Sequence, residues 1–132
     1  MTQLLAGLLL FLGMHSISIF APTVRDRWVA SMGSNVWRML YSIISIIGFV
    51  LLIRGYAAAR LEPVVLYGPP GWARHAVLLL MLPVFVMLSA AYLPGRIKAA
   101  LKHPMLVAVK LWAVAHLLAN GNLADVLLFG GF

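Results

Sequence analysis

The sequence predicts an all-α protein, a polytopic bundle of about four transmembrane helices followed by a short C-terminal apolar segment. Hydrophobic residues fill 64% of the 132 positions and mean hydropathy is +1.02, whereas a soluble domain is roughly half apolar. The apolar residues also form long runs, as membrane helices require. Neither a linker nor a fixed-period repeat divides the chain, so we expect a single domain over residues 1–132.

Four apolar runs account for the predicted helices. They cover residues 4–22, 39–59, 75–93 and 104–120, and each is close to the roughly 20 residues that cross a hydrocarbon core. Asn120-Gly121-Asn122 then predicts a helix end and a turn. The apolar run at 123–132 would rise only about 15 Å as a helix. We expect either that this run lies at the interface or that the chain is a truncated version of a longer protein.

The positive charge indicates membrane topology rather than nucleic-acid binding. The formal charge is +7, and most of the basic residues fall between the apolar runs. The first and third connections carry the larger share of them: Arg25, Arg27, Arg38, Arg96, Lys98 and Lys102. The positive-inside rule places these two connections in the cytoplasm and the N-terminus outside, with the lipid bilayer as the principal partner.

Histidines are the main candidates for function. The chain has no cysteine, so disulfides, iron–sulfur clusters and cysteine-ligated zinc are excluded. Each of the four histidines lies in or at the edge of an apolar run, where a titratable side chain is costly and usually faces a bundle interior, a cavity or a cofactor. They are His15, His75, His103 and His116.

Two of these histidines have matching predicted depths. His15 is six residues before Ala21, and His116 is six residues after Lys110. If Ala21 and Lys110 mark the cytoplasmic interface, each imidazole lies roughly 9 Å below it. A haem held between two helices takes one neutral imidazole from each side. We therefore predict His15 and His116 as metal ligands, with His103 and Lys110 beside the same cofactor.

Other interpretations stay open at this point. A membrane histidine often hydrogen-bonds a neighbouring helix instead of binding a metal. The basic residues Arg96, Lys98, Lys102 and Lys110 could pair with haem propionates, although anionic lipid headgroups are the default partners. The sequence contains no recognisable nucleophile triad or phosphate-binding glycine loop, so it leaves enzymatic activity undecided.

Seven segments combine polar residues with an otherwise apolar sequence. They are Gly13-Met14-His15-Ser16, Phe20-Ala21-Pro22, Trp37-Arg38-Met39-Leu40-Tyr41-Ser42, Pro69-Pro70-Gly71-Trp72-Ala73-Arg74-His75, Ala91-Tyr92-Leu93-Pro94-Gly95-Arg96, Lys102-His103-Pro104 and Ala115-His116-Leu117-Leu118-Ala119-Asn120-Gly121. Together these segments resemble one family of membrane proteins, the NnrU family, over nearly the whole chain.

The resemblance implies a setting and a cofactor. The family comprises multi-pass proteins of the bacterial inner membrane linked to nitrite and nitric oxide metabolism in denitrifiers, and it is similar to ζ-carotene isomerase, a haem b protein with histidine axial ligands. By this similarity His15 and His116 are the ligands of haem b, and nitric oxide reductase components or an apolar polyene are the partners. Family members continue past Phe132, which implies that this chain lacks part of their C-terminal helix.

Two other functions are compatible with the sequence. Lys102-His103-Pro104-Met105 is similar to a segment of membrane methyltransferases that use S-adenosylmethionine, although the tyrosine and the later acidic motif of those enzymes are absent. Alternatively, the chain is a non-enzymatic assembly partner of a nitric oxide reductase, and its histidines serve only as hydrogen-bond donors between helices.

The topology can be tested by cysteine labelling, because the native chain has no competing thiol. Cysteine placed singly at Arg25 or at Lys98 should react with a membrane-impermeant maleimide from the cytoplasmic side only. Labelling from opposite sides would contradict the predicted number of spans. Labelling of both positions from the periplasm would invert the topology.

Overall fold

The structure, a computed structural model, describes residues 1–132, and 81% of them are helical. The seven helices are α1 (Thr2–Phe20), α2 (Pro22–Met32), α3 (Ser34–Ala59), α4 (Ala73–Tyr92), α5 (Arg96–Leu101), α6 (Pro104–Ala119) and α7 (Leu123–Gly131). The chain has no strand, and its one isolated β-bridge joins Val65 and Asn122. It folds as two compact units, Met1–Pro63 and Val64–Phe132.

The helices confirm the predicted all-α membrane fold. Three of them, α1, α3 and α4, are long and apolar enough to cross a membrane, and α6 is a shorter apolar helix. The 16 residues of α6 would rise about 24 Å at 1.5 Å per residue. The fourth predicted segment is therefore present, but it is shorter than the other three.

One helix of the first unit was not predicted. Residues 22–32, which include Arg25 and Arg27, were assigned to a connection but form α2. Pro22 occupies the first helical position, where its missing N–H costs nothing. Gly33 ends the helix with a φ of 88°, a left-handed conformation that glycine adopts without strain. Pro22 and Gly33 were the sequence features from which the start and end of α2 could have been predicted.

The first unit is held together by close packing of α1 against α3. A Cβ on Gly55 would overlap the backbone nitrogen of Leu4, and one on Gly48 would lie 2.8 Å from the backbone nitrogen of Phe11. Because residue numbers rise along one helix as they fall along the other, the two helices are antiparallel. Small residues at this interface let the two backbones approach each other, as is common between membrane helices.

In the second unit, α7 folds back along α6. The predicted break at Asn120-Gly121-Asn122 is confirmed, since α6 ends at Ala119 and α7 begins at Leu123. The ring of Phe129 lies 5.1 Å from that of Trp112, and the ring of Phe132 lies 6.0 Å from it. Leu128 and Phe129 are buried. The C-terminal apolar run is thus a helix that packs on α6 rather than a continuation of it.

The turn between α6 and α7 is clamped by the segment that precedes α4. Gly121 accepts backbone hydrogen bonds from Leu66 at 2.8 Å and from Tyr67 at 3.1 Å. The Tyr67 hydroxyl lies within hydrogen-bond distance of the carbonyl oxygens of Leu117 and Asn120. A Cβ on Gly121 would overlap the Tyr67 carbonyl, so only glycine fits here.

Gly55→Ala should separate α1 from α3 and lower the free energy of unfolding by about 1–3 kcal/mol, because the new methyl group meets backbone rather than a movable side chain. Gly13→Ala on α1 is the matched control. Its Cβ would meet nothing within 4 Å, and alanine should stabilise the helix by up to about 1 kcal/mol. Unfolding titrations in mixed detergent micelles measure both, and equal effects would contradict the packing described.

Tyr67→Phe should destabilise the second unit by about 0.5–1.5 kcal/mol, because the carbonyls at the end of α6 lose their hydroxyl donor. Tyr92→Phe provides the control, since the Tyr92 side chain is 76% exposed and makes no hydrogen bond. The same titration compares the two variants. A Tyr67→Phe effect no larger than that of the control would show that the clamp contributes nothing to stability.

Candidate functional site

His15 lies in the penultimate turn of α1, and its orientation is set by its own helix. Its Nδ1 lies 2.7 Å from the carbonyl oxygen of Phe11, one turn earlier. The imidazole also packs on two aromatic rings, with centroids 4.3 Å from Phe11 and 5.3 Å from Tyr41 of α3. The side chain is exposed, so the first unit presents this imidazole rather than enclosing it.

His116 has the same local arrangement in the second unit. Its Nδ1 lies 2.8 Å from the carbonyl oxygen of Trp112, again four residues earlier. Its ring lies 4.7 Å from that of Trp112 and 4.6 Å from that of Phe129 on α7, measured between centroids. The imidazole is half-buried. An aromatic residue four positions before a histidine therefore recurs in both units.

This hydrogen bond determines which nitrogen of each imidazole can bind a metal. A carbonyl oxygen can only accept, so Nδ1 carries the proton in both histidines. The other nitrogen, Nε2, then holds a lone pair, and it has no hydrogen-bond partner within the chain. A carbonyl partner on one ring nitrogen is the usual support for a histidine that ligates metal through the other.

The imidazole nitrogens of His15 and His116 suit a metal that needs few ligands from the protein. No three His, Asp or Glu side chains come together as a metal site. Haem iron takes four ligands from the macrocycle and needs only axial ligands from the protein, and a neutral imidazole Nε2 is a suitable one. The two histidines thus fit haem in chemistry, each judged within its own unit.

The end of α6 is built around the backbone of His116. The His116 carbonyl accepts hydrogen bonds from the backbone nitrogen of Asn120 at 2.9 Å and from its Nδ2 at 3.0 Å. Beyond the turn, Asn122 and Asp125 form a capping box at the start of α7. Asp125 is completely buried, and its Oδ2 accepts from Asn122 Nδ2 at 2.8 Å. The Asn-x-x-Asp spacing was the signal for this cap, which the sequence analysis missed.

The other predicted cofactor residues lie away from His116. His103 is the exposed residue before α6, so 13 residues or about 20 Å of helix separate it from His116. Lys110 is exposed in the second turn of α6. The structure does not bring His103 together with His116. His75 is exposed in the first turn of α4.

The structure defines the position of His116 along α6, and its depth in a membrane stays a prediction. The helix begins at Pro104, six residues before Lys110. His116 is therefore 12 residues, or about 18 Å, from the start of its helix. A long lysine side chain can lie along a helix and carry its charge to the surface, so Lys110 can mark an interface from within α6.

An apolar crevice lies beside Trp112. It has a volume of about 200 Å³ and is lined by Val84 and Leu88 of α4 and by Ala108, Val109 and Trp112 of α6. Because the Trp112 ring also packs on His116, the crevice and the imidazole share one wall. The space is apolar and smaller than the roughly 300–1,000 Å³ of typical pockets for drug-sized ligands.

Comparison with known proteins identifies the family. The family model described as NnrU protein matches residues 3–132. No curated protein and no solved structure matches the chain. The match covers nearly every residue and confirms the resemblance seen in the histidine-containing segments, so the chain belongs to the NnrU family.

Proposed function

We propose that this NnrU-family protein binds haem b in the membrane and that His15 and His116 are the residues that would hold it. One observation carries the proposal: each histidine donates Nδ1–H to the carbonyl four residues earlier and leaves Nε2 without a partner. A histidine that only packs has no need to keep its lone pair unpaired in apolar surroundings, where an unsatisfied polar group is costly.

The same observation counts against histidines that serve only as hydrogen-bond donors between helices. That role requires the N–H to reach a neighbouring helix. His15 instead donates within α1 and His116 within α6. The Nδ1–H of each imidazole is therefore already hydrogen-bonded, and only Nε2, an acceptor, is available to another group.

The neighbouring side chains would tune the ligands. The carbonyls of Phe11 and Trp112 fix the tautomer and the ring orientation of the two imidazoles. The ring of Tyr41 lies 5.3 Å from that of His15, and the ring of Phe129 lies 4.6 Å from that of His116. Aromatic neighbours lower the polarity around the imidazoles, and local polarity is one of the ways that a protein adjusts a haem.

We further propose that the protein works in nitrogen-oxide metabolism at the bacterial inner membrane. Haem would supply redox chemistry here, and its iron would have a position for a small ligand such as nitric oxide only when one of the two imidazoles is not bound to it. The crevice beside Trp112, of about 200 Å³, has room for a diatomic molecule. Isomerisation of a carotenoid-like polyene is the second possibility.

Haem binding is tested by spectroscopy of the purified protein after expression with added 5-aminolaevulinate. The wild-type chain should show a Soret band and the low-spin spectrum of two imidazole ligands. His15→Ala and His116→Ala should each lose the low-spin spectrum, because one axial ligand is missing. His75→Ala removes an exposed histidine of α4 and should leave the spectrum unchanged.

The outcomes separate the alternatives. A wild-type protein without a Soret band under these conditions would overturn the proposal, and binding of S-adenosylmethionine by that preparation would favour the methyltransferase. Unchanged spectra in both His15→Ala and His116→Ala would place the haem on other ligands. A loss in only one of these variants would leave a single axial histidine.

A further inference from the structure

A cleft in the first unit gathers cationic and hydroxyl groups that the proposed haem site does not use. It has a volume of about 300 Å³, lies among α1, α2 and α3, and is called the arginine cleft below. Its lining residues are Ser18, Arg25, Val29, Ser34, Trp37, Arg38, Tyr41 and Ser42. Two guanidinium groups and four hydroxyl groups thus line one small space.

The charge of the arginine cleft is largely uncompensated. Asp26 is the only acidic residue among residues 1–61, and it forms a salt bridge of 3.0 Å with Arg25. Both side chains of that pair are exposed, so the interaction is weak. It also occupies only one nitrogen of Arg25. Arg38 pairs with no carboxylate. The cleft therefore has the chemistry of an oxyanion site.

The position of the cleft along α1 and α3 indicates the source of the oxyanion. It lies near the end of α1 and at the start of α3, two helices that are long enough to cross a membrane. The ends of such helices lie at the level of the lipid headgroups. The Trp28 and Trp37 rings pack 5.4 Å apart beside it, and paired tryptophans are typical of that level.

Exposed apolar side chains next to the cleft fit the rest of a lipid. Ile19 is 70% exposed and Phe20 83% exposed at the end of α1, one and two residues beyond the cleft residue Ser18. The acyl chains of a phospholipid whose phosphate lies in the cleft would contact these two side chains. The combination of an oxyanion site and an adjoining apolar surface matches a phospholipid better than a free anion.

We propose that the arginine cleft binds the phosphate of an anionic membrane phospholipid. Arg25 and Arg38 contact the phosphate oxygens, and the serine and tyrosine hydroxyls supply further donors. This site is separate from the haem ligands and does not depend on haem binding. Its one link to them is Tyr41, which lines the cleft and whose ring lies 5.3 Å from His15.

Native mass spectrometry of the full chain in detergent tests the proposal, with phosphatidylglycerol as the probe. Arg25→Gln/Arg38→Gln should weaken phosphatidylglycerol binding by about tenfold or more, because charge-assisted hydrogen bonds are lost. Arg27→Gln/Arg54→Gln is the matched control. It removes the same charge from α2 and α3 at positions that do not line the cleft, and it should bind like the wild type.

Further arms identify the ligand. Arg25→Lys/Arg38→Lys keeps the charge but loses the paired donors of guanidinium, so its affinity should lie between those of the wild type and the glutamine variant. Glycerol phosphate at the concentration of the lipid should not compete, since it has no acyl chains. Circular dichroism of each variant checks that the helices are retained.

Three results would overturn the proposal. Equal weakening in both glutamine double variants would reduce it to general charge attraction. Competition by glycerol phosphate at equal concentration would make the ligand a soluble phosphate. Loss of haem absorbance from Arg25→Gln/Arg38→Gln with unchanged lipid binding would assign the cleft to the haem carboxylates instead.

Discussion

The backbone of a chain that is 64% hydrophobic has to satisfy its amide and carbonyl groups internally, because an apolar medium offers them no partners. Helices meet that requirement, and they account for all the regular structure here. A carbonyl oxygen in a helix accepts one hydrogen bond from the amide N–H four residues later, and its second lone pair can accept another hydrogen bond. In Phe11 and Trp112 that lone pair accepts the imidazole N–H of the histidine one turn later. The orientation of each candidate ligand is thus a consequence of the helix itself.

Where the backbone is not helical, side chains and other backbone segments supply the hydrogen bonds of its amide and carbonyl groups. The turn after α6 is the clearest case, since Tyr67 reaches the last carbonyls of the helix and Gly121 accepts two amides from the segment before α4. At the start of α7, Asp125 accepts a hydrogen bond from the Asn122 side chain as part of the capping box. A buried carboxylate is tolerated because it is hydrogen-bonded. His116 lies at this end of α6. The hydrogen bonds of Tyr67 and Gly121 therefore also hold the part of the helix that carries His116.

The membrane helices and the turn at residues 120–122 could be predicted from the sequence. Long apolar runs rarely form anything but membrane helices, and an Asn-Gly-Asn segment rarely continues a helix. The sequence was insufficient for α2, whose polar composition resembles a loop and whose only signals are Pro22 and Gly33. The shared geometry of His15 and His116 could not be predicted, since apolar pattern and charge say nothing about side-chain rotamers.

Tyr41 connects the two sites of the first unit. It occupies the wall of the arginine cleft, and its ring also packs on His15. Aromatic packing of this kind restricts the rotamers of both partners. A ligand that orders Tyr41 from the cleft therefore also narrows the positions that the His15 ring can take. The arginine cleft and the candidate ligand His15 therefore share Tyr41 as a common neighbour.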